Sequence, residues 1–216
     1  MFHEQRDFEK ANRRGVKEEL KLEIKNGIKY AEPRVEAFTT PYFSKENMKM
    51  INPQLETEEE LTHAYHNEVE FVFNFYANFV NLHVKLLIFE KKFEEANEAL
   101  EKAIGYARNS QEVLKKVFIP FLILIRNLVD VKIQLSDIVA AESLLEDVHE
   151  LLSSNSYAFS TSQNPSGSFV VDRFDPIRER IKTIIHLARV KQLLAKWDDS
   201  ETLLRIAMKL TKEKSG

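Results

Sequence analysis

The chain has 216 residues, 44% of them hydrophobic, with only 5 Gly and 6 Pro. That is enough to bury a core, and so few breakers favour long helices over a turn-rich β fold. The 31 basic and 34 acidic residues leave a net charge of -3, which gives no general attraction to a phosphate backbone. The absence of cysteine excludes disulfides, thiolate-bound zinc, iron–sulfur clusters and thiol nucleophiles, and fits a reducing compartment.

The start, Met1-Phe2-His3-Glu4-Gln5-Arg6-Asp7, has no apolar h-region, so no secretory signal is expected. Nine Lys/Arg and eight Asp/Glu in residues 1–36 are too acidic a mixture for a mitochondrial transit peptide. Val16, Leu20, Ile24 and Ile28 recur every four residues and predict an N-terminal helix with one apolar stripe, weakened by Gly15 and Gly27. From Ala31 to Gln54 the period fails and Pro33, Pro41 and Pro53 intervene. Val35, Phe38, Tyr42, Phe43, Met48, Met50 and Ile51 are scattered there, which predicts an extended segment. Residues 1–56 thus read as a helix and arm that either fold back on the body or dock on a partner.

Thr57-Glu58-Glu59-Glu60 matches a capping box and predicts a helix over 58–91. A second helix over 93–108 has Phe93, Ala96, Leu100, Ala103 and Ile104 on its core face. Ser110 is placed to cap a third, over 111–134. Its apolar middle predicts a central position, with a kink at Pro120. Its run Val117–Ile125 is the most apolar of the chain. At nine residues between Lys116 and Arg126 it is far short of the roughly 20 of a membrane span, so no membrane insertion is expected. Asp137 opens a helix to Leu152, with Val139, Ala140, Leu144, Leu145, Val148 and Leu151 facing inward. Residues 153–168 are polar and without period, as in a mobile loop insertion whose serines and threonines are available for modification. Asp175-Pro176 starts a helix to Ala195, and Asp198 or Asp199 opens the last, to Lys212.

The helices pair as three hairpins with internal similarity. Phe93, Ala96, Leu100 and Ala103 align with Ile138, Ala141, Leu145 and Val148, and with Trp197, Ser200, Leu204 and Ala207. In each, a bulky residue at the turn precedes a small one by three and an apolar one by seven. The small residue allows close helix approach and the bulky one plugs the turn. This pattern resembles the tetratricopeptide (TPR) repeat. The third hairpin matches best, with Ile184, Leu187, Ala188, Trp197, Ser200, Leu204 and Ala207 on the motif's packing positions. His83 and Val84 in the first hairpin and Val129 in the second depart from the motif. The turn positions lie 45 and 59 residues apart (93 to 138, 138 to 197), against about 34 for the standard unit. Degenerate solenoids of the HEAT or PCI-subunit kind read similarly. The expected fold is all-α: a right-handed, TPR-like solenoid of about three antiparallel hairpins over 57–216, preceded by the N-terminal helix and docking arm of 1–56.

The resemblance implies a concave face lined by the first helix of each hairpin. Asn78, Asn81, Lys85, Arg126, Asp130, Lys182, Arg189 and Gln192 would stand on it, and its basic and amide side chains would bind carboxylates of a partner peptide by charge-assisted hydrogen bonds. The expected function is a non-enzymatic scaffold or adaptor, a cytoplasmic subunit of a larger complex. Its partner would be a protein or peptide, with no cofactor, no nucleic acid and no small-molecule substrate. An alternative is a PCI-like subunit associated with nucleic acid through Arg13, Arg14, Lys17, Lys115, Lys116 and Arg126. A further alternative is a metal-dependent hydrolase using Glu59, Glu60, His63, His66 and Glu70, whose helical spacing brings several onto one face. This is not His-Glu-x-x-His, and neither a phosphate loop nor a nucleophile elbow occurs.

Overall fold

A computed structural model describes residues 2–39, 54, 57–109, 114, 117–153 and 175–215. The side chains of residues 2–16, 38, 39, 58, 66, 214 and 215 are outside that description. Among the described residues all regular structure is α-helical, in seven helices. These are α1 (Phe2–Thr39), α2 (Glu58–Phe89), α3 (Phe93–Arg108), α4 (Phe118–Gln134), α5 (Ile138–Ser153), α6 (Pro176–Leu193) and α7 (Trp197–Ser215). Two compact units, residues 1–124 and 125–216, divide the chain within α4.

In the first unit, α1 packs on α2 and α2 on α3, with a smaller contact between α1 and α3. Side chains set the directions. Lys17 and Lys21 of α1 reach Glu90 at the far end of α2, whereas Glu32 meets Tyr76, so α1 and α2 run antiparallel. The core consists of Ile24, Ala31 and Val35 from α1, Val69, Val72, Phe73, Tyr76, Val80, Val84 and Leu87 from α2, and Ala96, Leu100, Ala103, Ile104 and Ala107 from α3. α1 continues through Pro33 to Thr39, where the sequence pattern suggested extended chain from Ala31. Proline removes one helical hydrogen bond, but burial of Ala31 and Val35 on either side of it offsets that loss. The remaining arm, 40–53 with 55 and 56, the cap expected of Ser110 and the 154–168 insertion lie outside the described residues.

By length and composition, Glu59–Phe89 is able to cross a membrane. Central core helices pass the same test, and α2 has α1 and α3 packed against it. The capping box appears in full: Thr57 Oγ1 accepts from Glu60 N–H at 3.2 Å, and Glu60 Oε2 accepts from Thr57 N–H at 3.0 Å. Pro120 is the third residue of α4. In the first turn a helical N–H has no partner within the helix, so its loss breaks no bond and the expected kink has no cause.

In the second unit, α5 packs on α6 and α6 on α7. Glu142 and Glu146 of α5 meet Lys191 near the end of α6, so these helices are antiparallel. Arg126 pairs with Glu179 and Asp130 faces His186, so α4 and α6 run side by side in the same direction. Asp175 caps α6 through Arg178 N–H at 3.0 Å, with Pro176 at the first helical position. α7 starts at Trp197, one or two residues before the expected Asp198 or Asp199. Both acids lie in its first turn, where they favour the helix dipole.

Candidate protein-binding faces

The turns that join α2 to α3, α4 to α5 and α6 to α7 have one geometry. Lys91, Ser136 and Ala195 hold φ of 60°, 62° and 57°, and each donates its N–H three residues back, to Ile88, Ile133 and Gln192. The following residues, Lys92, Asp137 and Lys196, donate five back, to Leu87, Lys132 and Lys191. This double bond is a Schellman closure. The oxygens of Lys92, Asp137 and Lys196 then accept the first bond of the next helix, from Ala96, Ala141 and Ser200. The small residues of the repeat are all buried, at 0%, 0% and 1% exposure. The plugging role given to the bulky residue does not hold for Trp197, which is 63% exposed, nor is Leu204 a core residue at 37%. Val139, expected inward, is 66% exposed. Each lies one position off the stripe that faces the neighbouring helix.

The eight residues assigned to the concave face divide between the units. Asn78, Asn81 and Lys85 lie on α2. Asn78 and Lys85 are exposed and form no side-chain hydrogen bond or ion pair with a described residue; Asn81 is half-buried. In the second unit, Arg126 and Asp130 of α4 stand beside Lys182, Arg189 and Gln192 of α6. Arg126 Nη2 donates to Glu179 Oε2 at 2.5 Å, and Lys182 Nζ donates to Glu179 Oε1 at 2.8 Å. Burial raises the Glu179 pKa, but these two bonds and the nearby positive charges bring it below the usual value. Arg126 and Lys182 are therefore already committed to an internal carboxylate. His186 Nε2 stands 3.6 Å from Asp130. Burial lowers the imidazole pKa against the pull of Asp130, and the positive charges of Arg126 and Arg189 lower it further. Arg189 and Gln192 are exposed and uncommitted among the described residues.

Much of the remaining charge is structural. Glu142 accepts from Lys191 at 2.5 Å and from Lys196 at 2.7 Å, joining α5 to the end of α6 and the following turn. Of the basic residues considered for nucleic acid, Lys17 is tied to Glu90 at 3.0 Å and Arg126 to Glu179. The side chains of Arg13 and Arg14, and both Lys115 and Lys116, lie outside the described residues. Among the described residues no three His, Cys, Asp or Glu side chains converge to hold a metal ion; His66 of the 59–70 cluster is outside that search.

One feature of α2 was missed in the sequence. Phe71 is 67% exposed, Phe75 37%, Leu82 44% and Phe89 76%. With Asn78 and Lys85 they form a stripe at 71, 75, 78, 82, 85 and 89, opposite the buried residues of the same helix. The spacing was available in the sequence, but α2 is apolar on several faces and its period is diluted. No family model, curated protein or solved structure matches the chain.

Proposed function

We propose that the chain is a protein–protein interaction scaffold: a short TPR-like solenoid of three helical hairpins acting as an adaptor subunit in the cytoplasm. The observation that carries this reading is the turn between helices, which recurs three times with the same hydrogen bonds and the same buried small residue three positions into the next helix. A chain that repeats a hairpin in register builds extended faces from successive first helices, and such faces bind proteins. The parallel placement of α4 and α6 supports it.

On the α4/α6 face, Arg189 and Gln192 are the residues that contact a partner's carboxylates or amides, because they carry no internal obligation. Arg126 and Lys182 hold Glu179 and shape the face. Asn78, Asn81 and Lys85 belong to a separate interaction face on α2.

The test is affinity purification of the full chain from its source, with quantitative mass spectrometry, against the Arg189→Ala, Gln192→Ala double variant. Full-length protein is the right bait, because α1 buries Ile24, Ala31 and Val35 in the first unit and truncation would disturb it. The expected result is a stoichiometric partner whose recovery falls at least about tenfold, a loss of roughly 1.4 kcal/mol, while the circular dichroism spectrum is unchanged. Recovery of the wild-type protein alone overturns the adaptor reading. Equal recovery with the variant overturns the assignment of this face.

A further inference from the structure

The exposed stripe of α2 is spaced four, three, four, three and four residues apart, which is the spacing of a heptad seam. Phe75, Leu82 and Phe89 occupy one set of positions; Phe71, Asn78 and Lys85 occupy the other. Lys17 lies over one side of Phe89 at 5.0 Å, yet Phe89 remains 76% exposed. No carboxylate occurs from 71 to 89, and Lys85 makes no ion pair with a described residue.

We infer that this face binds the same face of a second copy of the chain, antiparallel, about a two-fold axis at residue 80. The stripe is self-complementary in that sense alone. Reversed on itself about residue 80, it sets Phe71 against the second copy's Phe89, Phe75 against its Lys85, and Asn78 against its Leu82. Each exposed ammonium then meets an aromatic ring, a favourable cation–π pair. The two lysines stand about 15 Å apart along the axis, at 1.5 Å per residue. A parallel, in-register pairing would put Lys85 beside Lys85 inside an apolar seam, which is repulsive. Asn74 and Asn81, on one flank of the stripe, carry no charge. An isologous contact of this kind closes on itself and forms a dimer.

This inference concerns α2 alone. Its failure is separable from that of the adaptor reading, whose test rests on Arg189 and Gln192 of α6. The experiment uses the absence of native cysteines. Full-length Phe71→Cys and Phe89→Cys proteins are prepared singly, mixed and oxidised. The antiparallel register predicts a disulfide-linked dimer from the mixture and none from either protein by itself, because like positions lie about 27 Å apart. Sedimentation equilibrium of the cysteine-free chain should show a monomer–dimer equilibrium. Lys85→Glu should weaken it at least about tenfold, and Lys85→Arg should preserve it. A monomer at 100 µM (about 100 µM being the upper end of the test range) overturns the proposal, as does monomer binding to anionic lipid vesicles, which would assign the stripe to a membrane surface. Cross-linking of either cysteine protein to itself overturns the register.

Discussion

Gly27 of α1 lies against the ring of Phe79 in α2. A Cβ at residue 27 would fall 2.5 Å from Cδ1 and 2.6 Å from Cζ of that ring, well inside contact distance. The absence of a side chain is what lets α1 approach α2 here, so the glycine that weakens α1 locally serves its packing. Phe79 is itself in edge contact with Phe75, with centroids 4.8 Å apart, which limits how far the ring can retreat. Gly27→Ala is expected to destabilise the first unit by about 1–3 kcal/mol. Gly105, inside α3, has nothing within 4 Å of its hypothetical Cβ. Gly105→Ala should therefore stabilise by about 0.5–1 kcal/mol. Urea denaturation of the two variants should give opposite signs; equal signs would refute the packing argument.

Lys91, Ser136 and Ala195, in the turns between helices, stand in the left-handed region, where a Cβ is unfavourable. Ser136→Gly and Ala195→Gly should each raise stability by about 1 kcal/mol. The corresponding change at Leu194, which is not left-handed, should lower it. Thermal melts of the three variants distinguish turn geometry from a general effect of glycine.

Glu142 is buried between two ammonium groups, and Lys191 is also largely buried, so loss of one charge leaves the other poorly solvated. Glu142→Gln should cost about 1–3 kcal/mol in the second unit. Burial raises the Glu142 carboxyl pKa, but the bonds from Lys191 and Lys196 bring it below the ordinary 4.5. Glu90 is held down to about 2 by its bonds from Lys21 and Lys17. For such groups the stabilising contribution is complete above pH 4.5 and is lost as pH falls toward the folded-state value. Denaturation midpoints should fall between pH 4.5 and pH 2, and Glu142→Gln should flatten that fall.

Histidines produce a separate window. Burial lowers the pKa of His83, His149 and His186 below 6.5. The unfolded chain then binds more protons just below that pH, so stability is greatest above pH 6.5 and declines as pH falls through it. His149 also feels Arg180, which lowers its pKa further. His149→Gln should reduce the loss of stability between pH 7 and pH 5. A midpoint that is flat over this range in the wild-type chain would contradict the burial of these rings.

Several elements were legible from residue types alone. The capping box at Thr57, the Asp175-Pro176 start and the core face Ala96, Leu100, Ala103 and Ile104 depend on contacts within one or two turns, and all appear as expected. The Pro120 kink and the end of α1 at Ala31 were misread for one reason. Proline's effect depends on where the helix starts and what is buried beside it, and neither is local.

For the candidate faces, residue type pointed to Arg126 and Lys182 as free cations. Glu179, which holds both, is 53 residues from Arg126 in the chain, and such a partner leaves no periodic signal. By itself the sequence determined that this protein is helical, because capping, turn chemistry and apolar spacing act over a few residues. Tertiary structure alone decided which charges are spent on internal ion pairs and which apolar stripe of α2 stays open, because both depend on which helices become neighbours.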